Sequence, residues 1–499
     1  MATYTPLISG QKYYIEPALD TAMEKMIGRK AETKLLRDAL NSKNAGLVAV
    51  YGRRRVGKTY LIRNTYQDRL IFELTGTYGA SLKDQLVQFS RSLQKATGSA
   101  LAIKPPNSWA EAFQALEQLL AAQPKRKKLV VFLDEFPWLD GRKSGFLRAF
   151  EHFWNSWASR QSYILIAICG SAASWMIRNI VNSKGGLHQR ITQKVRLLPF
   201  TLAETESYIR NLGSNIDRYQ ILQIYMAMGG IPHYLNNIGK GESAAAVIQK
   251  TCFTKDGLLA GEFNNLYGSL FELADNHIKA IRALAARPSG LTRQEVIDEC
   301  GLSSGGRTTL MLEELEESGF IQPSLPYDKI SKDAIYRLID EYSLFYLKFM
   351  DKRGTKQEWA RISESNTYRV WSGMAYEAVC LKHVDQIKQA LGLAGKQTQE
   401  GTWRYVPPKG SAEKGAQIDL LIDRDDHNIN ICEIKFFAGE LIIDKSYAAE
   451  LKRKLDVFRE KMRPRKTLFL TLITTYGAKQ NMYFNSLVHQ SLDMEVLML

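Results

Sequence analysis

A chain of 499 residues, 45% hydrophobic and 24% charged, has the make-up of a multidomain globular protein and not of a disordered or fibrous one. The longest uncharged apolar stretch, residues 164–177, is too short to span a bilayer, the N-terminus lacks a basic-then-apolar leader pattern, and five scattered cysteines without C-x-x-C spacing fit a reducing cytoplasm. The net charge of +15 is concentrated in the first 200 residues, which hold 30 Lys+Arg against 14 Asp+Glu, an excess that suits nucleic acid or nucleotide without deciding between them.

Residues 1–20 are irregular. Met26-Ile27-Gly28-Arg29-Lys30-Ala31-Glu32 then leads into an amphipathic helix carrying Leu35, Leu36 and Leu40. Residues 47–51 form an apolar run predicted as a buried strand, and Gly52-Arg53-Arg54-Arg55-Val56-Gly57-Lys58-Thr59 after it has the spacing G-x-x-x-x-G-K-[ST], with a helical pattern from Tyr60 onward. A strand, a glycine-bounded turn and a helix N-terminus make a phosphate cradle. Gly52 and Gly57 let the backbone curl so that its N–H groups face a polyphosphate; Lys58 reaches the β- and γ-phosphates, and the Thr59 hydroxyl sits on Mg²⁺. ATP with Mg²⁺ is the expected ligand.

Residues 71–74 are predicted as a short strand, the region to about Gln123 as largely helical, and Lys125-Arg126-Lys127-Lys128 as a solvated loop. Residues 129–133 are an unbroken apolar strand ending in Asp134 and Glu135. Buried parallel strands read this way, and ligands sit at their carboxyl ends. Asp134 is therefore placed beside Mg²⁺, and Glu135 is left to orient or deprotonate the attacking water. Hydrolysis is the expected activity. Residues 163–169 are the next strand, ending in Gly170-Ser171; Leu187-His188-Gln189-Arg190 precedes another at 195–198. Residues 201–238 read as helical, broken at Met228-Gly229-Gly230-Ile231-Pro232-His233-Tyr234-Leu235.

This series of motifs resembles the archaeal-type AAA+ and STAND ATPases. By that resemblance the segment from Gly28 to Glu32 covers the adenine, although an ordinary helix N-terminus gives the same letters. Ser171 stands where such proteins place a polar sensor, or is a plain strand-ending turn. Arg190 stands where an arginine contacts a γ-phosphate, often in a neighbouring subunit of a homo-oligomer, or is a surface arginine. Pro232 would pack against the base. Residues 276–340 look like a winged helix, with helices at 277–284, at 291–297 with Thr292 as N-cap, and at 306–315, and strands at 320–322 and 334–338. Its third helix holds Arg307 but also Glu313, Glu314, Glu316 and Glu317, which favours a structural or regulatory role over DNA reading.

Residues 417–422 and 429–435 are predicted as strands joined by the turn Asp425-Asp426-His427-Asn428. Alternate residues share a face, so Glu433 and Lys435 point the same way, and Asp419 on the neighbouring strand can converge with Glu433 on a hard cation such as Mg²⁺. Asp, a hairpin and Glu-x-Lys resemble the PD-(D/E)XK nuclease core, with Gln417 where relatives often carry an acid. By that resemblance Lys435 would position or deprotonate the water attacking a phosphodiester. On that resemblance Glu377, on a predicted helix, is a further metal-site acid; a solvated helix glutamate is the alternative. The basic residues of 452–466 would track a phosphate backbone or form a solvated helix face, and 467–473 return the chain to the sheet as a strand.

The expectation is an α/β protein: a P-loop parallel-sheet ATPase core at 1–200, a helical lid at 201–275, a winged helix at 276–340 and a restriction-endonuclease-like domain at 341–499. The function it implies is an ATP-regulated, Mg²⁺-dependent DNA nuclease, cytoplasmic and away from membranes. The alternative is a STAND-like signalling or scaffold ATPase whose nuclease-like domain binds nucleic acid or protein without cutting.

Overall fold

The computed structural model describes residues 26–499 apart from 182–184, 188, 272–273, 328–333, 352–357, 409 and 412; the irregular segment 1–20 and His188 lie outside the described residues. Strands β1 (Gly46–Tyr51), β2 (Leu70–Thr75), β3 (Leu129–Asp134), β4 (Ile164–Gly170) and β5 (Gln193–Arg196) pair in parallel, in the order β2-β3-β4-β1-β5. Side chains alternate along a strand, so unbroken apolar runs are buried on both faces. Leu47, Ala49, Val131, Leu133, Ile166 and Ile168 enter one cluster with Trp109, Phe113, Phe136 and Phe150. Val48, Val50, Val130, Phe132, Leu165 and Ala167 enter the other, with Leu61 and Ile62 of the helix Lys58–Tyr66. Strand β4 lies between β1 and β3, which puts Ser171 between the turn after β1 and the acids that end β3.

Two local expectations change. The last strand runs over Gln193–Arg196 and not 195–198, since Gln193 already pairs with Val48 and Pro199 has no N–H to prolong the ladder. Lys128 is not simply solvated: its Nζ donates to the carbonyls of Ser42 (2.8 Å) and Asn44 (2.6 Å), closing the end of the helix Lys30–Asn41.

Helices Leu202–Asn211, Arg218–Met228, Pro232–Leu235, Ala244–Cys252 and Glu262–Leu270 follow, three of them opened by side-chain caps from Thr201, Asp217 and Ser243. The Gly-Gly-x-Pro turn has a physical reason at each position. Gly229 ends its helix at φ 67°, a side chain on Gly230 would put Cβ 2.1 Å from the Phe200 carbonyl oxygen, and Pro232 opens the next short helix.

Helices Ala274–Ala286, Arg293–Cys300 and Gly306–Glu317 then combine with β6 (Leu291–Thr292), β7 (Ile321–Ser324) and β8 (Ile335–Leu338), an antiparallel sheet of order β6-β8-β7. Thr292 caps its helix in a reciprocal box with Glu295. Two glutamates of the acidic helix Gly306–Glu317 pair within the chain: Glu317 with Arg196 (3.3 Å), and buried Glu314 with His277 (2.8 Å) and Arg178 (3.6 Å). Past β7 the chain lies along the second sheet, where the Tyr327 N–H bonds the Thr402 carbonyl (3.0 Å) beside a bridge from Pro326.

That second sheet is mixed. Strands β9 (Thr398–Tyr405), β10 (Ala416–Arg424) and β11 (Asn428–Lys435) are antiparallel; β12 (Thr467–Thr474) and β13 (Gln490–Leu492) continue from β11 in parallel, in the order β13-β12-β11-β10-β9. The helix Asn366–Lys382 covers one face, where Leu420, Ile422, Cys432 and Ile434 join the same continuous core as Val48 and Val50 of β1. The crossover helix Lys445–Met462 covers the other with Leu451 and Phe458. No helix among the described residues is long and apolar enough to cross a membrane.

Candidate functional sites

The first site is the turn after β1. Gly52 (φ 144°) approaches the Leu197 carbonyl so closely that a Cβ would sit 2.2 Å from its oxygen, and Gly57 (φ 93°) opens the helix Lys58–Tyr66, so both turn glycines are sterically required. Lys58 is buried; its Nζ donates to the carbonyls of Gly52 (3.0 Å) and Arg53 (2.9 Å), and burial pushes its pKa down. Thr59 Oγ1 stands 3.1 Å from each carboxylate oxygen of Asp134, which also accepts the Glu135 N–H (3.0 Å). Glu135 sits at φ 45°, and its carboxylate accepts both the Ser171 hydroxyl (2.8 Å) and the Ser171 N–H (3.0 Å). Lys58, Thr59, Asp134, Glu135 and Ser171 thus come together at the carboxyl ends of β1, β3 and β4.

Beside this cradle a cavity of about 390 Å³ is lined by Met26, Ile27, Gly57, Tyr60, Tyr208 and Pro232 among others. Its wall is held by Arg29, whose N–H bonds Glu204 (2.6 Å), whose guanidinium bonds the Val56 carbonyl (3.1 Å) and stacks on Phe200 at 4.5 Å. Pro232 and the Gly28-Arg29 segment therefore flank one space next to Gly57. Arg190 is elsewhere. It is exposed, and because Gln193 aligns with Val48, it precedes β5 at the amino ends of the strands, opposite the cradle of its own chain.

The second site lies in the mixed sheet. The β9–β10 register shifts between Ile418 and Leu421, a bulge at Asp419 of the kind that re-aims a side chain. The Asp419 carboxylate accepts the Ile434 N–H (3.0 Å), and its pKa is pushed up to about 7 by burial, with Glu433 and Glu377 adding repulsion. Glu433 is 2% exposed and bonds Lys435 (2.9 Å) and Lys454 (2.7 Å). Burial works against the Lys435 ammonium, but Glu433 outweighs it and its pKa lies above the ordinary value. Glu377 bonds Arg337 (3.1 Å) and lies within electrostatic reach of Glu433 and Lys435; burial raises its pKa. A groove of about 490 Å³ beside Asp419 is lined by Arg404, Gln417, Glu450, Arg453 and Lys454. Among the described residues no group of three or more His, Cys, Asp or Glu is placed to hold a metal ion.

The contacts of Lys454, Arg337, Arg53 and Asp340 were not identified from sequence. Lys454 had a readable signal, since it lies three residues after Leu451 and four before Phe458, on the buried stripe of its helix. Arg337 and the buried pair of Arg53 with Asp340 had none, because each joins residues far apart in the chain. Much of the basic cluster is spent internally: Lys461 on Glu413 (3.0 Å), Lys466 on Asp423 (2.5 Å) and Arg453 on the Gly415 carbonyl (2.7 Å).

Residues 26–238 match the family described as an ATPase domain predominantly from Archaea, and with the geometry above this part of the chain is a P-loop ATPase domain. An uncharacterized protein of Methanocaldococcus jannaschii is 24% identical over 417 residues, spanning 82% of this chain and 87% of that one. Among solved structures, the Walker-type ATPase of Pyrococcus abyssi is similar at 20% identity and a TM-score of 0.48, over 65% of this chain and 96% of that one. The ORC2 protein of Aeropyrum pernix is similar at 15% identity and a TM-score of 0.36, over 64% of this chain and 92% of that one.

Proposed function

We propose that this chain binds and hydrolyses ATP and that its C-terminal domain is a Mg²⁺-dependent DNA nuclease of the PD-(D/E)XK type, gated by the nucleotide. The N–H groups of the loop and Lys58 take the phosphates, Lys58 giving up the carbonyls of Gly52 and Arg53 to do so. Pro232, Tyr208 and residues 26–29 close on the base. Thr59 and Asp134, already in contact, would hold Mg²⁺, which would supply neutralisation of phosphate charge. Glu135, held by Ser171, orients the attacking water. Arg190, turned away from its own cradle, serves the γ-phosphate of a neighbouring copy, so the working unit is a homo-oligomer.

What supports the nuclease reading is that Glu433 bonds Lys435, with Asp419 and Glu377 within electrostatic reach of both. Asp419, Glu433 and Glu377 are oxygen donors of the kind that hold a hard divalent cation, which would supply charge stabilisation to a phosphodiester under attack. Lys435, kept charged by Glu433, polarises the water and does not deprotonate it. Arg404 along the groove offers a cation to a nucleic-acid backbone.

One observation favours a second reading. Glu433 is neutralised by two lysines, and no three acids among the described residues are gathered for a metal. On that reading the C-terminal domain binds nucleic acid or protein without cutting, and the chain is a STAND-like signalling or scaffold ATPase. Incubating the purified chain with plasmid and single-stranded DNA and Mg²⁺ or Mn²⁺, beside a Glu433→Ala/Lys435→Ala variant, separates the two. Cutting that disappears in the variant is expected; no cutting with either metal, with ATP hydrolysis intact, selects the scaffold.

A further inference from the structure

Arg55 holds a backbone conformation that its own residue type resists. In the phosphate loop it sits at φ 70°, a left-handed geometry that costs an arginine energy and persists only where the surroundings fix it. Gly57, two residues on, takes a positive φ without that cost, because it has no Cβ. What fixes Arg55 is Glu262. A guanidinium nitrogen of Arg55 lies 2.5 Å from Glu262 Oε1. Glu262 is 6% exposed, and the same carboxylate oxygen accepts the Tyr234 hydroxyl (3.1 Å).

Glu262 is itself held in place. It opens the helix Glu262–Leu270, whose Tyr267 hydroxyl meets Ser343 Oγ at 2.8 Å, and the Tyr342 hydroxyl donates to the Leu259 carbonyl (2.7 Å) just before that helix. Tyr234 stands in the short helix Pro232–Leu235, two residues after the proline that lines the cavity beside Gly57. One buried carboxylate therefore joins the phosphate loop to the turn on the far side of that cavity. It lies beyond residues 26–238, which carry the family match. Arg53 is tied in a like manner to Asp340, while Arg54 between the two tied arginines is exposed.

We propose that Glu262 is a positioning residue of the ATP site: by pairing with Arg55 it keeps the phosphate loop in the left-handed turn that aims its N–H groups at the phosphates. One determinant of ATP affinity thus lies in the helix Glu262–Leu270, outside residues 26–238. The proposal rests on the reading of residues 52–59 as a phosphate cradle, and its test keeps the two apart.

Affinity of the full chain for a slowly hydrolysed ATP analogue with Mg²⁺ is measured by isothermal titration for wild type, Glu262→Gln, Arg55→Gly, Arg55→Ala, Arg55→Gly/Glu262→Gln and Lys58→Ala, each beside its urea midpoint. Glu262→Gln keeps an acceptor for Tyr234 but loses the charge that holds Arg55. It is expected to weaken binding at least about tenfold, within the range that such backbone strain allows. Glycine needs no partner to stay at φ 70°, so in the Arg55→Gly background the same substitution should cost less than about twofold. For the same reason Arg55→Gly should bind more tightly than Arg55→Ala, although both lack the guanidinium; this comparison decides even where the Glu262 variant does not fold. An equal loss in both backgrounds, no loss on Glu262→Gln, or glycine binding no more tightly than alanine overturns the positioning role. No binding by wild type, or binding indifferent to Lys58→Ala, overturns the cradle reading instead.

Discussion

At the scale of single residues, the roles proposed at the ATPase site are argued from contacts. Glu135 is fixed by two bonds from Ser171 at a backbone conformation that costs a non-glycine residue energy. Glu135→Gln should lower ATP turnover by about 10²–10³-fold, the usual contribution of a positioned general base, and leave nucleotide affinity within about threefold; steady-state hydrolysis beside isothermal titration checks it. Asp419 yields a pH prediction. Its pKa, about 7 in the folded chain against about 3.9 unfolded, means the folded chain binds the proton more tightly. The stability it contributes is present below pH 4 and is lost as pH rises to 7. Asp419→Asn should therefore be more stable than wild type at pH 8, by about 1–3 kcal/mol, and show no advantage near pH 4, as read by urea unfolding at the two pH values.

The residues of the cradle were legible because each lies within a few positions of a glycine or a strand end. Asp419, Glu433 and Lys435 were legible as a pattern, since strand alternation places Glu433 and Lys435 together. The bulge at Asp419 was not, because nothing in Gln417-Ile418-Asp419-Leu420-Leu421 marks an extra residue in the ladder. Arg337 and Asp340 escaped for a related reason: their partners lie 40 and 287 residues away, beyond any local rule.

At the scale of elements, turns and caps decide how the ATPase meets the rest of the chain. The Gly229-Gly230 turn lets the Phe200 N–H bond the Gly230 carbonyl (2.7 Å), joining the end of the parallel sheet to the helices that follow it. A side chain at Gly230 collides with the Phe200 carbonyl oxygen at 2.1 Å. Gly230→Ala is expected to destabilise the chain by about 2–4 kcal/mol, the scale of a forced backbone shift in a packed core; a fall in the urea midpoint at constant slope measures it, and an unchanged midpoint contradicts the packing account. His383 makes a similar join: its Nε2 accepts the Leu202 N–H (3.0 Å), its other ring nitrogen meets the Val379 carbonyl (2.7 Å), and burial pushes its pKa down to about 4. The acidic helix Gly306–Glu317 was read from its glutamates as something other than a DNA reader; of those glutamates, Glu317 pairs with Arg196, and Glu314 with Arg178 and His277.

At the scale of the whole molecule, one apolar core runs from Val48 and Val50 of the first sheet through Ile221 and Tyr225 to Tyr342, Trp371 and Ile434 of the second. The two sites thus belong to a connected body, and charges bridge it at Arg53–Asp340, Arg337–Glu377 and Lys382–Glu341. Local patterns foretold the strands and helices well, but the surfaces on which they meet were not readable, because an apolar face carries no label for its partner. On the proposed function, that connection would carry the effect of nucleotide at one end to the carboxylates at the other. The most direct test is the rate of plasmid cleavage in Mn²⁺ as ATP is titrated, for wild type and for Lys58→Ala. The account predicts a cleavage rate that rises with ATP in wild type and stays flat and low in Lys58→Ala. Cleavage that is equal in both proteins and indifferent to ATP would contradict it.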